Sequence, residues 1–515
     1  MTPPEEEAED LTTTVVRGIG LAGSGYVLAQ VLTLGFYIAL ARLATPAEFG
    51  VMAAASVLLG AAMLVTESGM VSALIHRRER IEEATQTAIA ASALGGLVFG
   101  VLALATAPLL GLFFRNGQVT AVAAALSGTV LLKSLAMVPG AMLQRRFSFL
   151  RRVIVEPAGV TAFGVAAVIA TANGMGVWGL VIGQYAYAVT EFVLSWTLAP
   201  IPIRPRFVSF RIWRELAGYG RHVLAATVIL RVGDQADTGL IGRFLSASSL
   251  GQYRYAIRLA STSYSTLLAG ASYVLFPAFT RIAADRDRFE RGYLRSLHWL
   301  CFFAFPAGML LLPLGEPLAV VLFGDTWRAA GQAAMAMCVY PCASILSSIA
   351  SEALKADGKP ERLTRMHTVT TVSTVALMLA LLPLGLNGVA AGLSAGAVVG
   401  GIYALRQVRT HIGFALGPMW ERIWPPAVAS VVMAGVVLGA ERVLDAGHHG
   451  TALDAGLIVG GTALGLVVYL GLLSFLAPNT IRELRGAVSI ARDRLHRSPS
   501  GKGAADTQEA SEAKT

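Results

Sequence analysis

Charge is scarce in this chain: Asp, Glu, Lys and Arg make up 14% of its 515 residues, against roughly a quarter in soluble domains. A water-soluble globular protein is excluded. Cysteine is almost missing, and Cys301, Cys338 and Cys342 each lie inside an apolar run. They form neither a disulfide framework nor a thiolate metal site and read as small packing residues. No nucleophile elbow, phosphate-cradling loop or metal-ligand cluster occurs, so no cofactor is expected. Asp285-Arg286-Asp287 formally matches a metal-binding DxD but sits in a short arginine-rich loop, with no soluble nucleotide-binding domain to use it. The start, with Glu5, Glu6, Glu7, Glu9 and Asp10, lacks the basic stretch of a cleaved signal peptide, so the first apolar run is expected to stay as an anchor.

What fills the chain instead is apolar sequence, 55% hydrophobic residues with mean hydropathy +0.62. It comes in runs of about 20 residues, the length that crosses a hydrocarbon core of roughly 30 Å. Fourteen spans are expected, near 19–41, 50–75, 84–107, 119–143, 153–172, 177–199, 217–241, 251–279, 294–314, 329–354, 364–384, 387–409, 423–443 and 453–476. Long Ala, Gly, Val and Leu stretches without alternation specify helices rather than barrel strands, so the fold is all-α and polytopic. Loop charge tests the count: in or beside the loops after even-numbered spans lie twenty-three Lys and Arg, against five on the other side. Basic residues are retained in the cytoplasm during insertion, which places both termini there. The net charge of +9 follows from topology and calls for no nucleic acid.

The expected organisation is an acidic tail (1–18), an N-lobe of helices 1–6 (19–199), an interfacial linker (200–216), a C-lobe of helices 7–12 (217–409), helices 13–14 (410–476) and a cytoplasmic amphipathic segment with a disordered tail (477–515). In the linker, Phe207, Phe210, Trp213 and Leu216 recur at three-residue steps opposite Arg211 and Arg214, as in a helix lying on a membrane surface. The chain also repeats. At an offset near 201, Arg42–Gly50 overlays Arg243–Gly251; at 213, Gly179, Leu180 and Gly183 overlay Gly392, Leu393 and Gly396. Two six-helix blocks of the same orientation imply a pseudo-two-fold along the membrane normal and a cleft between lobes.

The residues carrying the repeat also carry a resemblance. Ala41-Arg42-Leu43-Ala44-Thr45-Pro46-Ala47-Glu48-Phe49-Gly50-Val51-Met52, followed by Glu67-Ser68-Gly69-Met70-Val71-Ser72-Ala73-Leu74-Ile75, resembles the opening of the polysaccharide-transport branch of the multidrug/oligosaccharidyl-lipid/polysaccharide flippase superfamily. Gln144-Arg145-Arg146-Phe147, Leu250-Gly251-Gln252-Tyr253 and Phe276-Pro277-Ala278-Phe279 are similar too, in the manner of colanic-acid-type Wzx flippases, over roughly residues 15–475. The resemblance implies a two-lobe transporter in a bacterial plasma membrane. Its partner would be an undecaprenyl-pyrophosphate-linked oligosaccharide moved to the outer leaflet by alternating access, through a cavity lined mainly by helices 1, 2, 7 and 8.

Ionisable residues inside spans cost roughly 2.5–3.5 kcal/mol each, so they should face a cavity or one another. Span 7 carries Arg231, Asp234 and Asp237 at three-residue steps, and span 8 carries Arg254 and Arg258 four apart on one face. Arg231, Arg254 and Arg258, with Lys133 in span 4, are the candidate contacts for an anionic headgroup. Asp234 and Asp237 could equally neutralise these arginines; together with Glu67 they are candidates for coupling to a sodium ion or proton. A cation-coupled small-molecule antiporter of the same superfamily is the rival reading, although its cavity should favour acids. Glycines at 18, 20, 23 and 25 and Pro277, Pro306, Pro313 and Pro341 are candidate bends.

Overall fold

The computed structural model describes residues 28–67, 80–145, 149–215, 235–359, 361–444 and 451–480, with 74, 233, 482 and 483. Among these residues there is no strand. The first lobe contains α1 (Leu28–Leu43), α2 (Pro46–Glu67), α3 (Ile81–Phe114), α4 (Gly117–Arg145), α5 (Phe149–Ala170) and α6 (Val177–Leu198). The second contains α7 (235–244), α8 (Ala247–Ile282), the bent pair α9 (Arg286–Met309) and α10 (Leu311–Phe323), the bent pair α11 (Arg328–Ala336) and α12 (Val339–Ala356), α13 (Glu361–Leu381) and α14 (Gly385–Gln407). Helices α15 (Leu416–Leu444) and α16 (Thr451–Leu476) follow.

Among the described residues, eight helical stretches are long and apolar enough to cross a membrane, or ten if each bent pair is one span. One of the eight, Glu361–Ile412, is itself two helices. A turn at Leu382–Leu384 and Gly385 at φ +72° interrupt it, and α13 and α14 pack along one another. Counted this way, each of the fourteen expected spans overlaps a helix or bent pair in the expected order. The bent pairs turn by 60° and 50°, at breaks flanked by Pro306 and Pro313 and followed by Pro341. The glycines at 18, 20, 23 and 25 lie outside the described residues. All three cysteines are buried and free of disulfides, as packing residues should be.

The repeat is visible in three dimensions. Thr45 and Glu48 form a capping box at the start of α2: the Thr45 amide donates to the Glu48 carboxylate (2.7 Å) and the Glu48 amide to the Thr45 hydroxyl (3.4 Å). Two hundred and one residues later, Ser246 caps α8 by accepting from the Ser249 amide at 3.0 Å. The overlaid glycines match as well. A Cβ on Gly50 would overlap the backbone carbonyl of Ala247, and one on Gly251 the carbonyl of Pro46. Each partner is the other's repeat equivalent, the reciprocity of a two-fold contact, so the pseudo-axis passes through the crossing of α2 and α8. At the second offset, Gly179 and Gly183 let α6 approach Thr171 and Phe163, while Gly392 and Gly396 let α14 approach Met378 and Thr374.

The interlobe linker is held by side chains of the first lobe. Gln86 Nε2 donates to the Pro202 carbonyl (2.7 Å), and its Oε1 accepts from the Arg204 amide (2.8 Å). Arg204 pairs with Glu82 at 2.5 Å, and Thr87 Oγ1 accepts from the Ser209 amide at 3.1 Å. Phe210 and Trp213 stack at 5.2 Å and stay exposed, while Ile212 is buried beside Ala84 and Met142. The short helix over 210–215 thus lies at the surface of the bundle with Ile212 turned inward, and Leu216 lies outside the described residues. Gln86→Leu leaves two linker main-chain groups unpaired, at about 1–3 kcal/mol each. A lower Tm and faster proteolysis of the linker are expected; an unchanged Tm would show that the linker is held elsewhere. Finally, α15 and α16 pack on the α9–α10 span, where the Tyr469 hydroxyl donates to the Phe302 carbonyl at 2.8 Å.

Candidate substrate cavity

Between the lobes, the face poor in loop cations is closed by an aromatic cluster contributed by both. Tyr255 of α8 packs on Phe49 of α2 (5.0 Å between ring centres), Tyr37 of α1 (5.7 Å), Phe323 of α10 (4.8 Å) and Trp327 (3.9 Å). Phe49, Tyr255 and Trp327 are buried. Hydrogen bonds tie the lobes at the same level: Trp327 Nε1 donates to the Ala41 carbonyl (2.8 Å), Arg42 Nη2 to the Val321 carbonyl (2.6 Å) and the Tyr255 hydroxyl to the Tyr37 carbonyl (3.1 Å). Gln252 fixes the turn that presents Trp327, donating to the Thr326 carbonyl (2.6 Å) and accepting from the Ala330 amide (2.8 Å).

Under this seal lies a cavity of about 490 Å³ reaching Phe49, Tyr37, Gln235, Arg254 and Arg258. A smaller one of about 230 Å³, lined by Lys133 and Tyr187 among others, adjoins it through Tyr37, Phe163 and Gln184. The implied lining by helices 1, 2, 7 and 8 is found, and α5 and α6 add Phe163, Leu180 and Gln184.

The chemistry of the lining is cationic with neutral polar support. The Arg258 guanidinium lies 3.6 Å from the centre of the Tyr37 ring, a cation–π contact that holds the plane while leaving its N–H edge available. Arg254 Nη2 donates to Gln235 Oε1 at 3.3 Å and to the Thr238 hydroxyl, and its buried Nε has no partner among the described residues. Neither arginine forms an ion pair with a described acid. Lys133 Nζ sits 5.2 Å from the centre of the Tyr187 ring, whose hydroxyl donates to Glu156 at 3.1 Å. Cations left without carboxylate partners in a membrane cavity are suited to an anionic group that arrives and leaves.

The structure therefore brings Arg254, Arg258 and Lys133 to adjoining chambers. Asp237 is buried, but its carboxylate accepts from the amide and hydroxyl of Thr238 and pairs with neither Arg254 nor Arg258. The expected neutralisation of these arginines by Asp237 is thus absent, because Thr238 stands between the carboxylate and Arg254. Arg231 and Asp234 lie outside the described residues; Glu67 is the last residue of α2. Tyr37, Gln184, Gln235 and the seal aromatics went unmarked by sequence reasoning, since a neutral polar or aromatic residue in an apolar helix carries no charge signal. Among the described residues no group of three metal-ligating side chains occurs.

Two pseudo-equivalent helical lobes around a basic cavity define a polytopic helical protein of duplicated-lobe architecture. The chain belongs to the polysaccharide biosynthesis protein family, whose profile matches residues 39–332. It is similar to the succinoglycan biosynthesis transport protein ExoT of Rhizobium meliloti (strain 1021), 27% identical over 61% of this chain and 63% of that protein. It is also similar to the teichuronic acid biosynthesis protein TuaB of Bacillus subtilis (strain 168), 24% identical over 52% of this chain and 56% of that one. The chain thus matches somewhat under two thirds of the length of these relatives. Its fold is that of the lipid II flippase MurJ in an inward closed conformation, with TM-score 0.70 and 16% identity over 90% of this chain and 99% of that chain. The family foreshadowed by the Ala41–Met52 segment is the family found.

Proposed function

We propose that this protein is a flippase that moves a polyprenyl-pyrophosphate-linked oligosaccharide, carried on undecaprenol, from the cytoplasmic to the outer leaflet of a bacterial plasma membrane. The carrying observation is the pair Arg254 and Arg258, in a cavity between two lobes and without carboxylate partners among the described residues. A pyrophosphate supplies the anion, and the carboxamides of Gln184 and Gln235 with the hydroxyls of Ser56 and Ser261 suit the sugar. In this reading the seal made by Tyr255, Phe49 and Trp327 closes the outer side while the headgroup loads from the cytoplasm, and the lobes then rock about their crossing. The family relatives are named for polysaccharide assembly, which supports the substrate class. Both termini are cytoplasmic in this orientation, as the loop arginines favour.

Coupling to a sodium ion or proton is assigned to Asp237, with Asp234 and Glu67 as the further candidate acids. The rival cation-drug antiporter is disfavoured because two guanidinium groups would repel its cargo. The deciding measurement is transport by protein reconstituted in vesicles, using a fluorescent undecaprenyl-pyrophosphate oligosaccharide and an organic cation in parallel. Movement of the lipid-linked sugar alone is expected; movement of the cation alone would sink the reading.

A further inference from the structure

Away from the central cavity and its side chamber, at the arginine-rich face of the bundle, a separate cavity of about 650 Å³ opens between α9, α15 and the chain that follows α16. Arg291, Arg295, His298, Arg422 and Glu483 line it. Its arginines differ from their neighbours in the same stretch of chain. Arg286 is paired with Asp357 (2.6 Å) and Arg288 with Asp285 (3.3 Å), whereas Arg291, Arg295 and Arg422 have no acid partner among the described residues. His298 is 5% exposed; its Nε2 lies 2.9 Å from the Thr480 hydroxyl, and its Nδ1 is buried with no hydrogen-bond partner among the described residues. The main chain of Arg422 faces the same imidazole and ties α15 to α9 at the cavity wall.

The same helix continues the pattern into the membrane. Arg291, Arg295, Trp299 and Phe303 follow one another at four-residue steps, a single stripe on α9. It spans about 18 Å along the helix axis. Trp299 and Phe303 stack with ring centres 6.3 Å apart, and Phe303 is 46% exposed. Cations at one end and an aromatic track at the other have the polarity of a single lipid molecule. Retention of basic loops explains arginines on this face. It does not explain three gathered from two helices around one cavity without an ion pair among the described residues.

We propose that this seam binds the phosphate of a membrane lipid. Arg291, Arg295 and Arg422 take the phosphate oxygens, and Trp299 and Phe303 receive the start of the hydrocarbon chain. Basic pockets between membrane helices on the cytoplasmic side recognise phospholipid headgroups in this way. The shared chemistry is a phosphate ester on an apolar chain, supplied either by an anionic phospholipid or by a polyprenyl phosphate.

The test counts lipids retained by the purified full-length protein in native mass spectrometry, after titration with phosphatidylglycerol, undecaprenyl phosphate and phosphatidylcholine. At least one of the two anionic lipids is expected to be retained roughly tenfold over phosphatidylcholine, and which one identifies the source. Arg291→Gln/Arg295→Gln should reduce that retention roughly tenfold. Arg281→Gln/Arg288→Gln, which removes the same charge from the same stretch, should leave it unchanged. Arg422→Gln, on a different helix, gives an independent reading should the double variant fail to fold. Equal loss in both double variants, unaltered retention in Arg422→Gln, or equal retention of anionic and zwitterionic lipid would overturn the site.

Discussion

Gly50→Ala and Gly251→Ala are expected to unseal the face closed by the aromatic cluster. Both glycines sit where α2 and α8 cross, and in each case the new methyl would overlap a main-chain carbonyl of the opposing helix rather than a side chain that could swing aside. Overpacking of this kind costs about 1–3 kcal/mol. All of that cost falls on the conformation in which the crossing is tight, so the population of the sealed state should fall roughly 5- to 150-fold. A cysteine placed at Ser56 or Ser261, both lining the cavity below the seal, reports the change. The native cysteines are buried and leave little background. A membrane-impermeant maleimide should label the reporter poorly in the otherwise native protein and quickly in either glycine variant, while transport falls because the cycle cannot return to the sealed state. Unchanged labelling would show that the crossing is not part of the gate.

Arg258→Ala should abolish most transport while leaving expression and Tm close to native. The guanidinium is held by the Tyr37 ring and not by an ion pair, so its removal leaves no orphaned acid among the described residues and the structural cost stays small. What is lost is a charge-assisted fork to phosphate oxygen, about 1.5–3 kcal/mol, or roughly 10- to 150-fold in affinity. Arg258→Lys separates charge from shape: it keeps the positive charge and loses the planar fork and its ring stacking, so intermediate transport is expected. Native transport by Arg258→Ala would remove this residue from the headgroup site. A destabilised protein would mean that the cation–π contact serves packing instead.

The membrane architecture was legible because a bilayer imposes lengths and sorts charge. Twenty-residue runs and arginine-rich alternate loops survive any rearrangement of side chains. The repeat was legible for a related reason: a helix start needs a cap and a close crossing needs a glycine, so Thr45 and Ser246, and Gly50 and Gly251, stayed in register after most other identity had gone. Side-chain direction was not. Arg254 and Arg258 share a helical face, yet one reaches α7 and the other the α1 ring, since long flexible stems diverge from a common stripe. Asp237, expected beside them, instead turns to the hydroxyl next to it. Nor could the seal be read in advance, because Phe49, Tyr255 and Trp327 come from three distant segments and meet only when both lobes are in place.

Every cross-lobe hydrogen bond described at that seal ends on a main-chain carbonyl: the indole of Trp327, the guanidinium of Arg42 and the phenol of Tyr255 all donate to peptide oxygens. The acceptor half of this latch therefore persists through any exchange of side chain at Ala41, Val321 or Tyr37, and only its three donors expose it to mutation.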